Sequence, residues 1–174
     1  NEDTYSTGTA IMGRLNYTLM NRYFLTLSIR RDGYSAFGME NPYATFPSGA
    51  LAWNLSDESF FNIKWINNLK VRASYGINGN RDIGIYDALA KLETNKYLTG
   101  STLISGIYSS SLANQYLKWE KTKALNLGLD FSILNSRLNG SVDYYSMITN
   151  DLLLKRSLPT IIGYDNVMSN MGEL

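Results

Sequence analysis

The residues that could carry chemistry in this sequence are carboxylates, lysines and arginines, since its 174 residues include neither histidine nor cysteine. Without histidine there is no imidazole general base and no Ser-His or Cys-His nucleophile pair. Without cysteine there is neither a disulfide framework nor a thiolate metal site. Catalysis by carboxylates or lysines remains possible, and the spacing of the acidic residues shows whether they could form a catalytic or metal site.

None of the acidic pairs has the spacing of a catalytic or metal site. Asp57 and Glu58 are adjacent but have no acid–base partner nearby, and a turn or helix start explains them better. Asp143 and Asp151 lack the spacing of calcium ligands. Residues 76–80 read Gly-Ile-Asn-Gly-Asn but lack the strand–turn–helix context of a phosphate-binding loop. We therefore expect no enzyme, no catalytic residue, no metal and no cofactor.

The composition favours antiparallel β structure and argues against nucleic acid as a partner. The net charge of +1 gives no footprint for a polyanion. The chain has 13 Tyr, 6 Phe and 3 Trp beside 14 Gly and only 3 Pro, which is typical of β-sheet proteins. Tyr and Trp also concentrate where a protein meets both lipid and water. Composition alone fits both a soluble β protein and a membrane barrel.

Six segments of the sequence alternate apolar and polar residues with a period of two. This is the pattern of β-strands that have one apolar face and one polar face. A seventh such strand is expected to begin at Asn170. The six segments are 11–19, 23–30, 50–55, 69–76, 124–131 and 138–145.

The connections between these segments fall into shorter turns and longer loops. One helical turn is expected around residues 57–61. Short turns on one side and long loops on the other are typical of bacterial outer-membrane barrels, and structureless loops as long as the middle one are rare in soluble domains. The shorter connections are 20–22, 56–68 and 134–136, and the longer ones are 31–45, 77–119 and 148–169.

The alternation alone does not choose between a soluble sheet and a barrel, because both have one apolar face. The loop asymmetry and the tyrosines at segment ends (Tyr17, Tyr23, Tyr75 and Tyr144) favour a transmembrane barrel. Six or seven strands cannot close a bacterial barrel of even strand number, and an open edge in lipid leaves backbone groups unpaired. We therefore expect an all-β fold in which residues 1–174 form part of one larger antiparallel transmembrane β-barrel domain, with long extracellular loops and shorter periplasmic turns.

A more specific identification depends on short motifs spread in order over nearly the whole chain. They include Gly-Arg-Leu-Asn-Tyr at 13–17, Tyr-Ala-Thr-Phe-Pro-Ser at 43–48, Ala-Trp-Asn-Leu-Ser at 52–56, Asn-Leu-Gly-Leu-Asp-Phe at 126–131 and Asn-Met-Gly-Glu-Leu at 170–174. In this order and spacing they resemble the C-terminal half of the SusC/RagA family of TonB-dependent outer-membrane receptors. Departures are minor, such as Asn54 where the family often carries Gly or Arg.

The resemblance implies a barrel of about 22 strands with a plug domain inside. It implies nutrient import, of oligosaccharides or peptides, by a multi-pass protein of the bacterial outer membrane that contacts membrane lipid. A SusD-like surface lipoprotein would form a lid, and the TonB-ExbB-ExbD system would supply energy through an N-terminal part. We expect the plug domain, that N-terminal part and the remaining strands to lie outside this chain.

The resemblance also indicates which residues could contact substrate, plug or lid. Charged residues on the polar faces are candidates for lining the lumen, and ordinary lining with local ion pairing is the simpler interpretation. Aromatic residues in the long loops could stack on substrate or pack against the lid, although loop aromatics often pack within their own loop. The candidate lumen-lining residues are Arg14, Arg30, Lys70, Arg72, Asp130 and Asp143. The candidate loop contacts are Tyr34, Phe37, Tyr43, Tyr97, Tyr108 and Tyr116.

Two other functions stay open at this point. A TonB-dependent siderophore or cobalamin receptor would share the barrel but need no lid. A soluble all-β binding module would share the alternation and would bury its Leu/Val face.

Overall fold

The computed structural model describes residues 4–174, apart from the side chain of Thr160, and these residues form strands with two short 3-10 helices. The helices are Leu55–Asp57 and Thr160–Ile162. The strands, numbered in chain order, are β1 Gly8–Leu19, β2 Tyr23–Tyr34, β3 Tyr43–Asn54, β4 Ile66–Asn80, β5 Leu92–Thr99, β6 Thr102–Ser109, β7 Ser111–Leu112, β8 Glu120–Ile133, β9 Leu138–Asn150, β10 Leu153–Ser157 and β11 Asn166–Asn170.

The main element is a six-stranded antiparallel sheet in the order β1-β2-β3-β4-β8-β9. Five of the six predicted segments lie within one of these strands, and the sixth, 50–55, lies within β3 except for Leu55, which begins the first 3-10 helix. The strands are longer than predicted, because their ends interrupt the simple alternation of apolar and polar residues. In β3, Pro47 and Gly49 hide the strand signal, although both are paired with β2. Tyr75 and Tyr144, expected at strand ends, therefore lie inside β4 and β9.

The register gives the sheet one apolar and one polar face. One row across the strands consists of Leu25, Leu51, Ala73, Leu127 and Tyr144. Because side chains alternate along a strand, this row and its neighbours at i±2 all point to the same side.

The polar rows lie on the opposite side of the same sheet. One of them runs from Ala52 through Arg72 and Gly128 to Asp143, and the next pairs Lys70 with Asp130. The predicted division between the two faces is therefore present in the register itself.

At one end of the sheet the strands are joined by tight connections. Met20 and Asn21 both have positive φ, 53° and 55°, as the two-residue turn of a twisted hairpin requires. The turn after β8 has three residues with positive φ, Leu134, Asn135 and Ser136. The helical turn expected at 57–61 is found two residues earlier, at Leu55–Asp57, where the Asn54 side-chain amide donates to Asp57 at 3.2 Å.

At the other end the long connections have structure of their own, so the expectation of a structureless loop at 77–119 is wrong. β5 and β6 form a hairpin that turns at Gly100, which has a φ of 64°. β7 pairs in parallel with β11, which pairs with β10. Residues of β5 are exposed on both sides, and a strand that is wet on both faces lacks the alternation by which the others were predicted.

Where a seventh strand was predicted to begin, the described residues form a single bridge to β9. Asn170 still belongs to β11, and Gly172 then turns the chain with a φ of 82°. Glu173 pairs with Asn150, and Thr149 and Leu174 exchange two backbone hydrogen bonds of 2.9 Å. The chain therefore reaches the free edge of β9 at Glu173.

The buried residues gather at the loop end of the sheet, and the apolar face is uncovered. Phe37, Phe46, Ala88, Leu117 and Trp119 form the buried cluster. By contrast, 60% of Leu51 and 63% of Tyr144 are exposed on the apolar face. The buried Leu/Val face that a soluble module requires is absent among the described residues, so that expectation is wrong.

The stretch 4–174 has no helix with the length and apolarity needed to cross a membrane.

Candidate functional site

An ion-paired cluster centred on Arg72 occupies the polar face. The Arg72 guanidinium on β4 donates from Nε and Nη2 to the two carboxylate oxygens of Asp130 on β8, both at 2.8 Å. Nη2 also donates to Asp143 Oδ1 on β9 at 3.1 Å. The fork of the guanidinium matches a carboxylate, and such paired bonds fix orientation as well as charge. Three neighbouring strands are thereby cross-linked through one side chain.

Gly128 makes this cluster possible, because Arg72 lies directly opposite it on β8. A Cβ atom at position 128 would lie 2.7 Å from both the guanidinium carbon of Arg72 and Oδ1 of Asp143. The missing side chain therefore leaves a gap through which the guanidinium crosses β8 toward β9. The sequence analysis did not single out Gly128, since its role depends on the register of three strands.

Lys70 lies beside the cluster and contacts an aromatic ring. Its Cα is opposite that of Asp130 in the register, while its Nζ lies 4.8 Å from the ring centroid of Phe24. A cation over an aromatic face is attracted by the ring quadrupole. Phe24 is an apolar residue on the polar face, and this contact gives it a role there.

The other two candidate lumen residues lie on the first two strands. The Arg30 Nε on β2 donates to Asp32 Oδ1 at 2.7 Å. Arg14 on β1 is opposite Ser28 and takes part in none of the ion pairs between residues 4 and 174. All six predicted lumen residues therefore share one face, and three of them meet in one cluster: Arg72, Asp130 and Asp143.

The aromatic candidates of the first long loop are packed to different degrees. Phe37 is 5% exposed and stacks on Trp119 with centroids 4.9 Å apart, so in this conformation it packs within the protein. Tyr34 lies edge-on against Phe37. Tyr43 is 56% exposed and lies under the Arg31 guanidinium at 5.2 Å. Of these three, Tyr43 offers the most surface.

Of the candidates of the second long loop, Tyr97 and Tyr108 lie on the β5–β6 hairpin, whereas the backbone carbonyl of Tyr116 accepts a hydrogen bond from the Asn41 side chain at 3.4 Å. Tyr97 and Tyr116 are exposed. The Tyr108 hydroxyl lies 3.4 Å from carboxylate oxygens of Glu93 and Asp165, and partial burial together with these two carboxylates raises the pKa of Tyr108. The structure thus leaves Tyr97 and Tyr116 accessible and ties Tyr108 between the hairpin and the start of β11.

A cluster that the sequence analysis missed surrounds Glu58 at the short-turn end. Glu58 Oε1 accepts from the Tyr23 hydroxyl at 2.6 Å and from the Trp53 indole at 3.0 Å, while Oε2 accepts from Arg22 at 3.3 Å. The Tyr23 and Trp53 rings stack with centroids 6.0 Å apart. The hydrogen bonds from Tyr23 and Trp53 lower the pKa of Glu58. Glu58 therefore fastens the connection 55–65 to the ends of β2 and β3, which is more than the turn position predicted for it.

Between residues 4 and 174 no cluster of three or more acidic side chains has the geometry to hold a metal ion. The chemistry of the polar face is that of ion pairs and hydrogen bonds, including a 2.7 Å bond between the Ser28 and Ser48 hydroxyls. Such a face holds water and polar solutes.

An antiparallel sheet with a polar, ion-paired face, an uncovered apolar face, short turns at one end and long loops at the other is a segment of a β-barrel wall. Residues 1–173 match the family model of the TonB dependent receptor-like beta-barrel. The chain belongs to this family.

Named relatives and solved structures agree with the family model. The chain is 43% identical to TonB-dependent receptor P3 of Formosa agariphila over 95% of this chain and 17% of that protein. It is 39% identical to TonB-dependent receptor SusC of Bacteroides thetaiotaomicron over 98% of this chain and 18% of that protein. The solved structure of the RagAB peptide transporter superposes with a TM-score of 0.83 and 31% identity, covering 97% of this chain and 18% of that chain. The chain therefore spans less than a fifth of the length of these relatives.

Proposed function

We propose that this chain is part of the barrel wall of a TonB-dependent outer-membrane importer of oligosaccharides or peptides. The observation that carries the proposal is the similarity to SusC and to the RagAB peptide transporter over almost the whole chain. The second of these proteins is a peptide transporter, which supports peptide import over a siderophore or cobalamin receptor. The resemblance to the SusC/RagA family keeps oligosaccharides as the other candidate cargo.

In the proposed barrel the polar face lines the lumen and the apolar face contacts lipid. The Arg72 cluster pairs its charges across three strands, so these three charges are not isolated within the wall. Ala, Leu, Val and Tyr side chains of the opposite face suit the hydrocarbon region. The remaining strands of a barrel of about 22 would pair with the outer edges of β1 and β9.

The proposed partners act at the two ends of the barrel. A SusD-like surface lipoprotein would cover the loop end, where the β5–β6 hairpin and the sheet of β7, β10 and β11 provide an ordered surface. The TonB-ExbB-ExbD system would act from the periplasmic side through a part of the protein that precedes this stretch.

Gene deletion tests the proposed function most directly. The gene for the full-length receptor is deleted, and growth and uptake are measured on panels of oligosaccharides and peptides as sole nutrients, with a plasmid-borne copy as the control. We expect uptake of at least one nutrient to be lost and then restored by the plasmid. Unchanged growth on every nutrient, or loss confined to iron or cobalamin supply, would contradict the proposal.

Purification from outer membranes in mild detergent tests the partner. Mass spectrometry of the purified complex should identify a surface lipoprotein in stoichiometric amount with the full-length receptor. A receptor that purifies without any lipoprotein would contradict the proposal that a surface lipoprotein forms a lid.

A further inference from the structure

A cavity of about 350 Å³ opens on the polar face at the loop end of the sheet. Arg30 and Phe46 are opposite each other on β2 and β3, and Asn78 lies on β4 opposite Thr122. Arg81 and Trp119 come from the long connection that follows β4. The residues that line the cavity and carry its chemistry are Arg30, Asp32, Phe46, Asn78, Arg81 and Trp119.

The side chain of Arg30 is exposed to the cavity, whereas the carboxylate of its ion-pair partner, Asp32, is mostly buried. The side chain of Arg30 is 56% exposed, whereas that of Asp32 is 13% exposed. The ion pair uses Nε of Arg30, so the outer edge of the guanidinium, formed by its two Nη groups, is not used in this bond. A guanidinium with a free edge can bind a second carboxylate through two parallel hydrogen bonds.

The second cation, Arg81, is held in place by stacking. Its guanidinium carbon lies 4.8 Å from the ring centroid of Tyr34. On its other side it lies against β1, since a Cβ atom on Gly8 would be 2.9 Å from Nη1. Stacking on a ring orients the guanidinium without using its N–H donors. Arg81 is absent from the ion pairs formed within residues 4–174.

The floor of the cavity is aromatic and rigid. Phe46 and Trp119 are 7% and 2% exposed, and their rings meet edge to face with centroids 5.6 Å apart. A buried aromatic floor excludes water from one side of the cavity, and hydrogen bonds to charged groups become stronger where water is excluded. Two guanidiniums and one carboxylate leave the cavity with one net positive charge.

We propose that this cavity is a subsite that binds a carboxylate group of the imported substrate, and this inference depends on the import function proposed above. The carboxylate would accept hydrogen bonds from the outer edge of Arg30 and from Arg81, with the Asn78 amide as a third polar contact. The ligand is an acidic peptide group or C-terminus, or a uronate of an oligosaccharide, since both offer the same planar carboxylate.

Binding to the purified full-length receptor with its partner protein tests the subsite. The probes are a tryptic digest and the same digest after amidation of its carboxylates, and oligogalacturonates beside their methyl esters. Bound ligand is quantified by mass spectrometry after rapid removal of free ligand. We expect the carboxylate form of one pair to bind about tenfold more tightly than its neutral form, the ratio that one or two charge-assisted hydrogen bonds provide. The pair that shows this preference identifies the source of the carboxylate.

Single substitutions test whether the preference for carboxylate probes over neutral probes arises at the cavity. Arg30→Gln and Arg81→Gln should each remove most of it, whereas Asp32→Asn, which frees Arg30 from its competing carboxylate, should increase it. Arg137→Gln, in the exposed turn after β8 and outside the cavity, is the matched control and should leave it unchanged. A difference in gel migration between unheated and heated samples verifies that each variant is folded.

Three results would overturn the subsite. These are equal binding of acidic and neutral probes, a preference that survives in the Arg30→Gln/Arg81→Gln double variant, and absence of binding by all four probes. The uptake measurements on the deletion strain are independent of this cavity, so a failed subsite and a failed import function are distinguished.

Discussion

At the scale of single residues, glycines on the strands determine where large side chains from neighbouring strands can lie across the sheet surface. A Cβ atom at Gly79 would lie 2.0 Å from the Phe46 ring, which is buried against Trp119 and cannot move away. The corresponding atom at Gly128 would meet only the flexible ends of Arg72 and Asp143. The two glycines therefore make room for a rigid group and a mobile group, respectively.

This difference predicts unequal effects of the same substitution. Gly79→Ala should destabilise the barrel by about 1–3 kcal/mol, as overpacking of a filled core does. Gly128→Ala should cost less, because Arg72 and Asp143 can swing aside while losing part of their ion pair. The midpoint of thermal unfolding of the full-length receptor in detergent measures both. Equal midpoints for the two variants would contradict this account of Gly79.

Glu58 gives a pH dependence at the same scale. Its folded-state pKa is lowered by the hydrogen bonds from Tyr23 and Trp53, so its contribution to stability is present above its ordinary value of 4.5 and is lost as the pH falls through the lower, folded-state pKa. Unfolding midpoints should therefore drop on acidification below that value, and Glu58→Gln should remove this part of the drop.

Glu40→Gln is the control for that measurement, since Glu40 lies in the first long loop and takes part in none of the ion pairs within residues 4–174. It should keep the acid dependence of the unmodified receptor. An acid dependence that persists in Glu58→Gln would show that another carboxylate is responsible.

The face on which a residue lies was easier to predict from the sequence than the residue with which it pairs. The alternation assigned Arg72, Asp130 and Asp143 to one kind of face, and the structure brings both carboxylates within 3.1 Å of the Arg72 guanidinium. Their pairing depends on the register between β4, β8 and β9, and β4 is separated from β8 in the sequence by the long connection 81–119. The role of Glu58 was hidden for the same reason, because Tyr23 and Trp53 become neighbours only when β2 and β3 pair.

At the scale of elements, the alternation predicts which strands span the membrane. It identified all six strands of the main sheet, because each has an apolar side that differs consistently from its polar side. It missed β5, β6, β7, β10 and β11, because β5 is exposed on both sides and β7, β10 and β11 have only two to five residues each. A period of two therefore detects strands that have an apolar environment on one side and a polar environment on the other. Strands without this difference can be predicted only when their partner strands are known.

Substituting adjacent residues of β8 tests this division of faces. Leu127 lies in the middle row of the apolar face, and Asn126 next to it lies on the polar face. Leu127→Arg should destabilise the barrel by about 2–4 kcal/mol, the cost of a cation facing the bilayer midplane, whereas Asn126→Arg should be tolerated. Outer-membrane abundance and the unfolding midpoint in detergent measure the difference. Equal tolerance of arginine at both positions would contradict the assignment of the two faces.

At the scale of the whole molecule, the sheet is defined as much by its edges as by its centre. The outer edge of β1 has no partner strand among the described residues, and β9 is paired on its outer side only where Glu173 and Leu174 reach it. Unpaired backbone groups are too costly to leave in hydrocarbon. We therefore propose that further strands of the same barrel pair with both edges, in agreement with the similarity to relatives more than five times longer.

The same two edges predict how residues 1–174 behave when they are produced alone. The apolar face is uncovered and the edge of β1 is long, and exposed strand edges next to exposed apolar surface promote association between chains. We therefore expect this stretch to aggregate in detergent-free buffer, as measured by size-exclusion chromatography with light scattering, while the full-length receptor in detergent elutes as a single species. Detergent should cover the apolar face of the short chain but leave its edges unpaired, so it should still form mixed oligomers. A monodisperse monomer in buffer would mean that the apolar face is covered by the chain itself, and it would contradict both the lipid-facing assignment and the need for neighbouring strands.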